Sequence, residues 1–317
     1  NPAGLQGGVR YWDGQFDDAR LALAIARTAE AAGACVLNHA EVTGLQRADG
    51  VSVLDVLDRI GGQRHTVRAR CVVNATGVWV DALRQAGGTP SNMVSPSQGV
   101  HLVVDRDFMP GNHALLVPKT RDGRVLFAVP WLGKLILGTT DTPSRDLARE
   151  PQPFEEEVEF ILSEASHALS RPVQRADVRS VWVGLRPLVA APDTGAGGTK
   201  ALSREHTIVV DDNAMLTVTG GKWTTYRAMA EDVMAHLFDA GLLPRRSGDT
   251  TARHILHGAP HQADIPIQAA PGPHIFGSDI DAIRALPGAD NELGMGLTEA
   301  MVRFMVRYEQ ALTVEDV

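Results

Sequence analysis

The 317-residue chain is 44% apolar and 21% charged, a globular make-up with room for two domains that excludes disordered and fibrous classes. Its formal charge of −8 offers no general attraction for nucleic acid, and no apolar run approaches the roughly 18–20 residues of a spanning helix. Cys35 and Cys71, the two cysteines, each sit in an apolar β-like run, so buried thiols and a cytoplasmic location are expected rather than disulfides or a zinc site.

In chain order, Asp17 to Ala32 reads as a helix, with Leu21, Ala24, Ile25 and Ala29 on one face and Gly33 as its stop. Three β-like runs follow, Ala34–Val42, Val51–Leu57 and His65–Asn74, joined by polar turns. Further β-like runs cover Val100–Val104, Ala114–Pro118, Val125–Val129 and Leu135–Thr139. An amphipathic helix is predicted over Phe154–Leu169, then strands over Val178–Leu185, Ala201–Arg204, Ile208–Val210 and Met215–Thr219. Beyond Leu243 a Pro-, Gly- and His-rich stretch leads to short helices around Ile280–Leu286 and Glu299–Gln310, a small helical tail. Asn1 is not an initiator methionine, Leu5–Tyr11 reads as loop, and Leu312–Val317 resembles a helix start with Thr313 as N-cap. An internal piece of a longer protein is therefore expected.

The stretch LTVTGGKWTTYRAMAEDV, from Leu216, runs from a strand through Gly220-Gly221-Lys222 into a helix starting near Lys222. Unpartnered N–H groups and the helix dipole make such a start suited to an anion, which the glycines would let approach. Leu216 and Trp223 stand where a Walker loop needs Gly and Ser/Thr, so an ordinary nucleotide P-loop does not fit. A tight turn carrying a surface lysine would show the same residues.

Five motifs in order, VVNATGVWV (72–80), GVHLVV (99–104), VPWLGKLILGTTDTP (129–143), VGLRPL (183–188) and TGGKWTTYR (219–227), resemble the FAD-dependent glycerol-3-phosphate dehydrogenases. YWDGQFDDARL, from Tyr11, is similar to that family as well, and the likeness spans most of residues 7 to 240. The resemblance implies an α/β, Rossmann-like FAD-binding flavoprotein fold, present in part. In it an antiparallel β-rich substrate domain (92–205) is inserted between two parts of the FAD domain (1–91 and 206–244), and an incomplete helical domain (245–317) follows. Such flavoproteins open on a strand–GxGxxG–helix unit for the FAD pyrophosphate, and nothing between Asn1 and Val317 qualifies. Gly195–Gly198 is glycine-rich but follows Pro192-Asp193-Thr194, which is no strand. That unit is expected upstream of Asn1, and the chain alone is expected to bind FAD poorly and to be inactive.

The implied reaction is oxidation of sn-glycerol 3-phosphate to dihydroxyacetone phosphate, with hydride passing to flavin N5 and electrons on to a quinone. Gly220, Gly221, Lys222, Trp223 and Thr224 would hold the flavin's pyrimidine edge, with Ala75, Thr76 and Gly77 at a strand end under the cofactor and Gly138 and Thr139 close to it. The hydroxyl proton calls for a base titrating near neutrality; among the eleven histidines His101 is favoured, with His113 and His206 weaker. Arg186 and Arg204, at predicted strand ends, would clamp the phosphate, because the guanidinium fork holds two oxygens at once. Thr140 is assigned to the substrate, and Lys222 and Arg186 to catalysis beside His101. Amine or hydroxy-acid oxidation, or glycerol-3-phosphate oxidation by oxygen, are the alternatives, and a non-enzymatic binding module would need none of these residues together. No metal is expected; peripheral contact with the inner face of the cell membrane and a homodimer are compatible with the resemblance.

Overall fold

The structure, a computed structural model, describes residues 6–121, 123–190, 205–246, 248, 251–259 and 265–317. Arg204, the predicted strand Ala201–Arg204 and the glycine-rich run at Gly195–Gly198 lie outside the described residues.

Helix α1 (Asp18–Ala31) starts where Asp17 accepts the Arg20 N–H at 2.9 Å, and Asp18 in the first turn complements the dipole. The strand expected from Ala34 begins only at Ala40. Residues 34–37 have no strand beside them among the described residues and stay irregular. Cys35 is therefore exposed and Cys71 only half-buried, which corrects the expectation of two buried thiols.

Strands β1 (Ala40–Ala48), β2 (Val51–Asp58) and β3 (Arg64–Ala69) form an antiparallel meander. Asp49 and Gly50, at φ 51° and 75°, make the two-residue turn between the first pair, the left-handed geometry that suits strand twist. The predicted run His65–Asn74 breaks after β3, and β4 (Val72–Asn74) joins a different sheet. Periodicity marks faces, but a strand's sheet is decided by its partners.

The largest sheet is antiparallel and contains β5 (Val94–Asp105), β6 (Leu115–Val117), β7 (Leu126–Trp131), β8 (Lys134–Gly138), β9 (Thr142–Pro143) and β10 (Ser180–Val189). Its order is β10-β5-β8-β7-β6, with β9 on β5. Alternation divides its faces. Val100, Leu102, Val104, Leu126, Ala128, Leu135 and Leu137 are buried against Val158, Ile161, Leu162 and Ala165 of α3 (Glu155–Ala168). Each buried Val, Leu or Ile among them stabilises the fold by roughly 1.5–3 kcal/mol. The alternate residues, among them His101, Gly138 and Trp182, point to the opposite face.

A third sheet, β11-β12-β4, pairs β11 (His206–Val210) antiparallel and β4 parallel with β12 (Met215–Gly220). Leu216 and Val218 pack beneath Val233 and Leu237 of α4 (Tyr226–Asp239). Arg84 of α2 (Val80–Ala86) lies buried and bridges to Asp211 at 2.7 Å, tying α2 to this sheet.

In the tail, α5 (Ile280–Arg284) and α6 (Glu299–Tyr308) enclose Phe276, Ile283, Ala300, Met301 and Phe304. Beside them lies a hairpin absent from the sequence expectation, β13 (Glu292–Gly294) with β14 (Leu297–Thr298). The tail docks on α1: Arg20 donates two hydrogen bonds to Glu309, at 2.7 and 2.6 Å, and Arg27 pairs with Asp279 at 2.7 Å. The Glu309 side chain is 2% exposed and that of Arg20 19%, so loss of the carboxylate leaves a largely buried guanidinium without its partner. Breaking such a buried pair costs about 3–5 kcal/mol, and Glu309→Ala is expected to lower the urea midpoint accordingly; an unchanged midpoint would show that this ion pair adds nothing to stability. Among the described residues no helix is long and apolar enough to cross a membrane.

Candidate active site

Strand register assembles the site. Trp182 lies opposite His101, His101 opposite Gly138, and Gly138 opposite Phe127, so β10, β5, β8 and β7 place these residues in one row on the sheet's outer face. Val129, Trp131 and Ile136 extend that face. With Gly14, Gln15, Phe16 and Asp18 before and at the start of α1, and Lys222, Trp223 and Thr224 ahead of α4, they line a cavity of about 490 Å³. His101, Gly138, Lys222, Trp223 and Thr224, far apart in sequence and assigned to the site from it, thus meet around one space.

The His101 ring stacks on the Trp182 indole, with centroids 4.3 Å apart and planes 16° from parallel. Gly138 closes the other side, where a Cβ would stand 2.4 Å from His101 Cδ2. Burial first, and the positive charge of Arg186 second, push the imidazole down from 6.5 to about 4. The ring is consequently neutral at pH 7 and able to accept a proton. This departs from a base titrating near neutrality, because desolvation opposes the charged form. Nδ1 is buried without a hydrogen-bond partner, and the residue lines the cavity.

Arg186 projects from β10 on the same face. Its guanidinium lies across Gly99, where a Cβ would stand 2.1 Å from Nη2, so only glycine leaves the slot open. Nη2 donates to Thr139 Oγ1 at 3.0 Å, and Nη1 stands 3.6 Å from Asp141 Oδ1.

Thr140 departs from its expected role. Its hydroxyl donates to Glu157 Oε1 at 2.8 Å and accepts the Val100 N–H at 3.0 Å. Glu157, buried on α3, also accepts from Gln98 Nε2 at 2.6 Å and from the Phe154 N–H at 3.1 Å. The Thr140 hydroxyl is thus committed to a network beneath the sheet, and Thr139 presents the polar group at the Arg186 side.

Because β4 and β12 run parallel, the segments after them, Ala75–Gly77 and Gly220–Thr224, emerge at the same sheet edge. Ligands of open α/β sheets bind outside such carboxyl ends. Thr76 donates its hydroxyl to Asn74 Oδ1 at 2.7 Å, and Gly77 opens a 3-10 turn that contacts β12. Gly220 and Gly221 adopt φ of 76° and 75°. A Cβ would stand 2.7 Å from the Glu205 carbonyl at the first and 2.6 Å from Met229 Sδ at the second, so chain packing alone demands both glycines. A 3-10 turn over Trp223–Thr225 precedes α4, which starts at Tyr226 rather than near Lys222.

His113 is exposed ahead of β6, and His206 pairs with Asp232 at 2.8 Å; neither lines the cavity. Sequence reasoning gave no role to Phe16, Phe127, Trp131 or Trp182, all of which do line it. The two-residue spacing from Trp182 through Gly184 to Arg186 was the available signal, since it puts Trp182 on the face of Arg186. Gln15 donates to the Pro130 carbonyl at 3.0 Å and accepts from Gln268 at 3.1 Å, which seats the segment before α1 against the sheet.

The family model for FAD dependent oxidoreductases matches residues 1–227. The chain is 42% identical over 259 residues to a mitochondrial glycerol-3-phosphate dehydrogenase of Arabidopsis thaliana, covering 80% of this chain and 41% of that protein. It is 43% identical over 243 residues to the mitochondrial glycerol-3-phosphate dehydrogenase of Homo sapiens, covering 73% of this chain and 33% of that one. The solved structure of glycerol-3-phosphate dehydrogenase from Bacillus halodurans complexed with FAD is similar at a TM-score of 0.66 and 34% identity, over 76% of this chain and 46% of that one. The chain spans less than half the length of each of these relatives. Its fold, with an antiparallel sheet set beside a mixed sheet and several helices, is that of the FAD-dependent oxidoreductases, and the chain belongs to that family.

Proposed function

We propose that the full-length protein, with the pyrophosphate-binding unit expected upstream of Asn1 in place, oxidises sn-glycerol 3-phosphate to dihydroxyacetone phosphate with FAD. The observation that carries this reading is the joint placement, on one sheet face, of a neutral, half-buried His101 and of Arg186 seated over Gly99, with Lys222 across the cavity. Kinship with proteins named glycerol-3-phosphate dehydrogenase supports the choice of substrate. FAD, when bound, supplies the acceptor for the hydride leaving the substrate carbon.

The chain's own residues do the rest. His101 takes the hydroxyl proton at Nε2, in the tautomer that keeps a proton on Nδ1. Arg186 holds the substrate phosphate through its planar fork, and Arg204 is its proposed partner. Lys222, with the helical start behind it, lies where it would favour the electron-rich edge of the cofactor, and Ala75–Gly77 and Gly220–Thr224 at the shared sheet edge would support it. Residues 92–205 would form the substrate domain, inserted between cofactor-domain segments 1–91 and 206–244, with 245–317 as the tail. Delivery of electrons to a quinone, at a membrane surface, belongs to the same proposal and rests on the family resemblance.

Dye-linked oxidation assays with glycerol 3-phosphate, glycerol and glycine test the reading. Turnover of glycerol 3-phosphate alone supports it, and turnover of glycine without glycerol 3-phosphate would overturn it. A depressed histidine stays in its basic form as pH falls below 6.5 and is lost as a base only on passing its folded value of about 4. The acid limb of kcat/KM is therefore expected near pH 4; a limb at 6.5 would reassign the base. Gly99→Ala should displace only the mobile end of Arg186, leaving thermal stability unchanged while raising KM for glycerol 3-phosphate about tenfold. Unchanged KM would separate Arg186 from the phosphate.

A further inference from the structure

We propose that Trp182 is a positioning residue for His101: its indole, laid against the imidazole, fixes the plane of the ring and shields it from water. Hydrophobic-core formation does not account for this side chain. Trp182 is 46% exposed, on the face of the sheet opposite the core, and lines the cavity. Register sets it directly across from His101, and the two rings are close to parallel at 4.3 Å. On the far side of the imidazole, Gly138 leaves no room for even a methyl group. The ring therefore sits in a slot with an indole for one wall and a backbone for the other, and rotation out of the slot meets one wall or the other.

The consequence is chemical as well as steric. An imidazole free to tilt would present Nε2 to a substrate hydroxyl in only a fraction of its orientations, and one wetted by solvent would gain a proton more readily. The charged groups around it are Arg186, reaching across Gly99 with Asp141 beside it, Lys222 from the turn ahead of α4, and Asp18 from the first turn of α1. Only Arg186 among them lowers the imidazole; burial contributes more, and the indole stacks on one face of the ring. Removing the indole should therefore let His101 titrate higher, from about 4 toward 6.5.

The kinetic arm of the test rests on the proposed oxidation, whereas the titration arm needs neither substrate nor turnover. The His101 ring signal, assigned by its loss in His101→Ala, is followed against pH by NMR in the parent protein and in Trp182→Ala, Trp182→Leu and Trp182→Phe. The alanine and leucine variants should both move the midpoint up toward 6.5, and phenylalanine, which restores a stacking ring, should return it near the parent value. In the FAD-loaded protein, Trp182→Ala should slow flavin reduction about ten- to a hundredfold with KM within about twofold, and Trp182→Phe should recover most of the rate. Because the indole lies outside the core, the alanine variant should keep the fold, and the leucine variant repeats the test with apolar bulk retained. A His101 midpoint unchanged in both would overturn the proposal whatever the protein oxidises. A shifted midpoint without glycerol-3-phosphate turnover in the parent would instead retain the Trp182 role and remove the assigned reaction.

Discussion

His101→Ala is expected to slow reduction of bound FAD by glycerol 3-phosphate by about 10²–10⁴-fold, the range typical for loss of a general base, while the cofactor stays bound. The side chain offers little else to lose. Its Nδ1 has no hydrogen-bond partner, so truncation leaves no other polar group stranded, and its stack on Trp182 is at the cavity wall rather than in the hydrophobic core. A rate deficit would thus report chemistry rather than collapse of the site. Stopped-flow flavin absorbance at saturating substrate separates the two, and near-normal reduction would reassign the base.

Arg186→Ala carries the second large effect. A charge-assisted contact to phosphate typically contributes about 1.5–3 kcal/mol, so KM for glycerol 3-phosphate should rise at least about tenfold. Arg186→Lys should recover little of this, since an ammonium cannot reproduce the fork that rests over Gly99 and donates to Thr139. The same truncation removes the nearby positive charge that helps to depress His101, so the acid limb of kcat/KM should move upward together with KM. An unchanged KM with an unchanged limb would place Arg186 outside the site.

Local pattern was enough for much of the fold. The spacing of Leu21, Ala24, Ile25 and Ala29 before Gly33 located α1, and the alternation of Val100, Leu102 and Val104 located β5 and left His101 on the other face. What pattern could not supply was partnership. The run from His65 to Asn74 is uniformly β-like, yet its halves pair in different sheets, and Thr140 looked like a site residue until Glu157, on a helix 17 residues onward, took its hydroxyl. Trp182 escapes local pattern for a related reason: its neighbour His101 lies across a strand pairing that no local window contains. Gly220 and Gly221 were correctly expected in a tight turn, but the close approach that requires them comes from Glu205 and Met229 of the same chain.

The central claim is that this cavity oxidises glycerol 3-phosphate at a bound flavin. Its most direct test is anaerobic addition of glycerol 3-phosphate to the purified, FAD-loaded full-length protein, with the flavin absorbance band followed in time. Bleaching by glycerol 3-phosphate, absent with glycerol lacking the phosphate, is the predicted result. A band that persists in excess glycerol 3-phosphate, in protein whose flavin dithionite still bleaches, would contradict it.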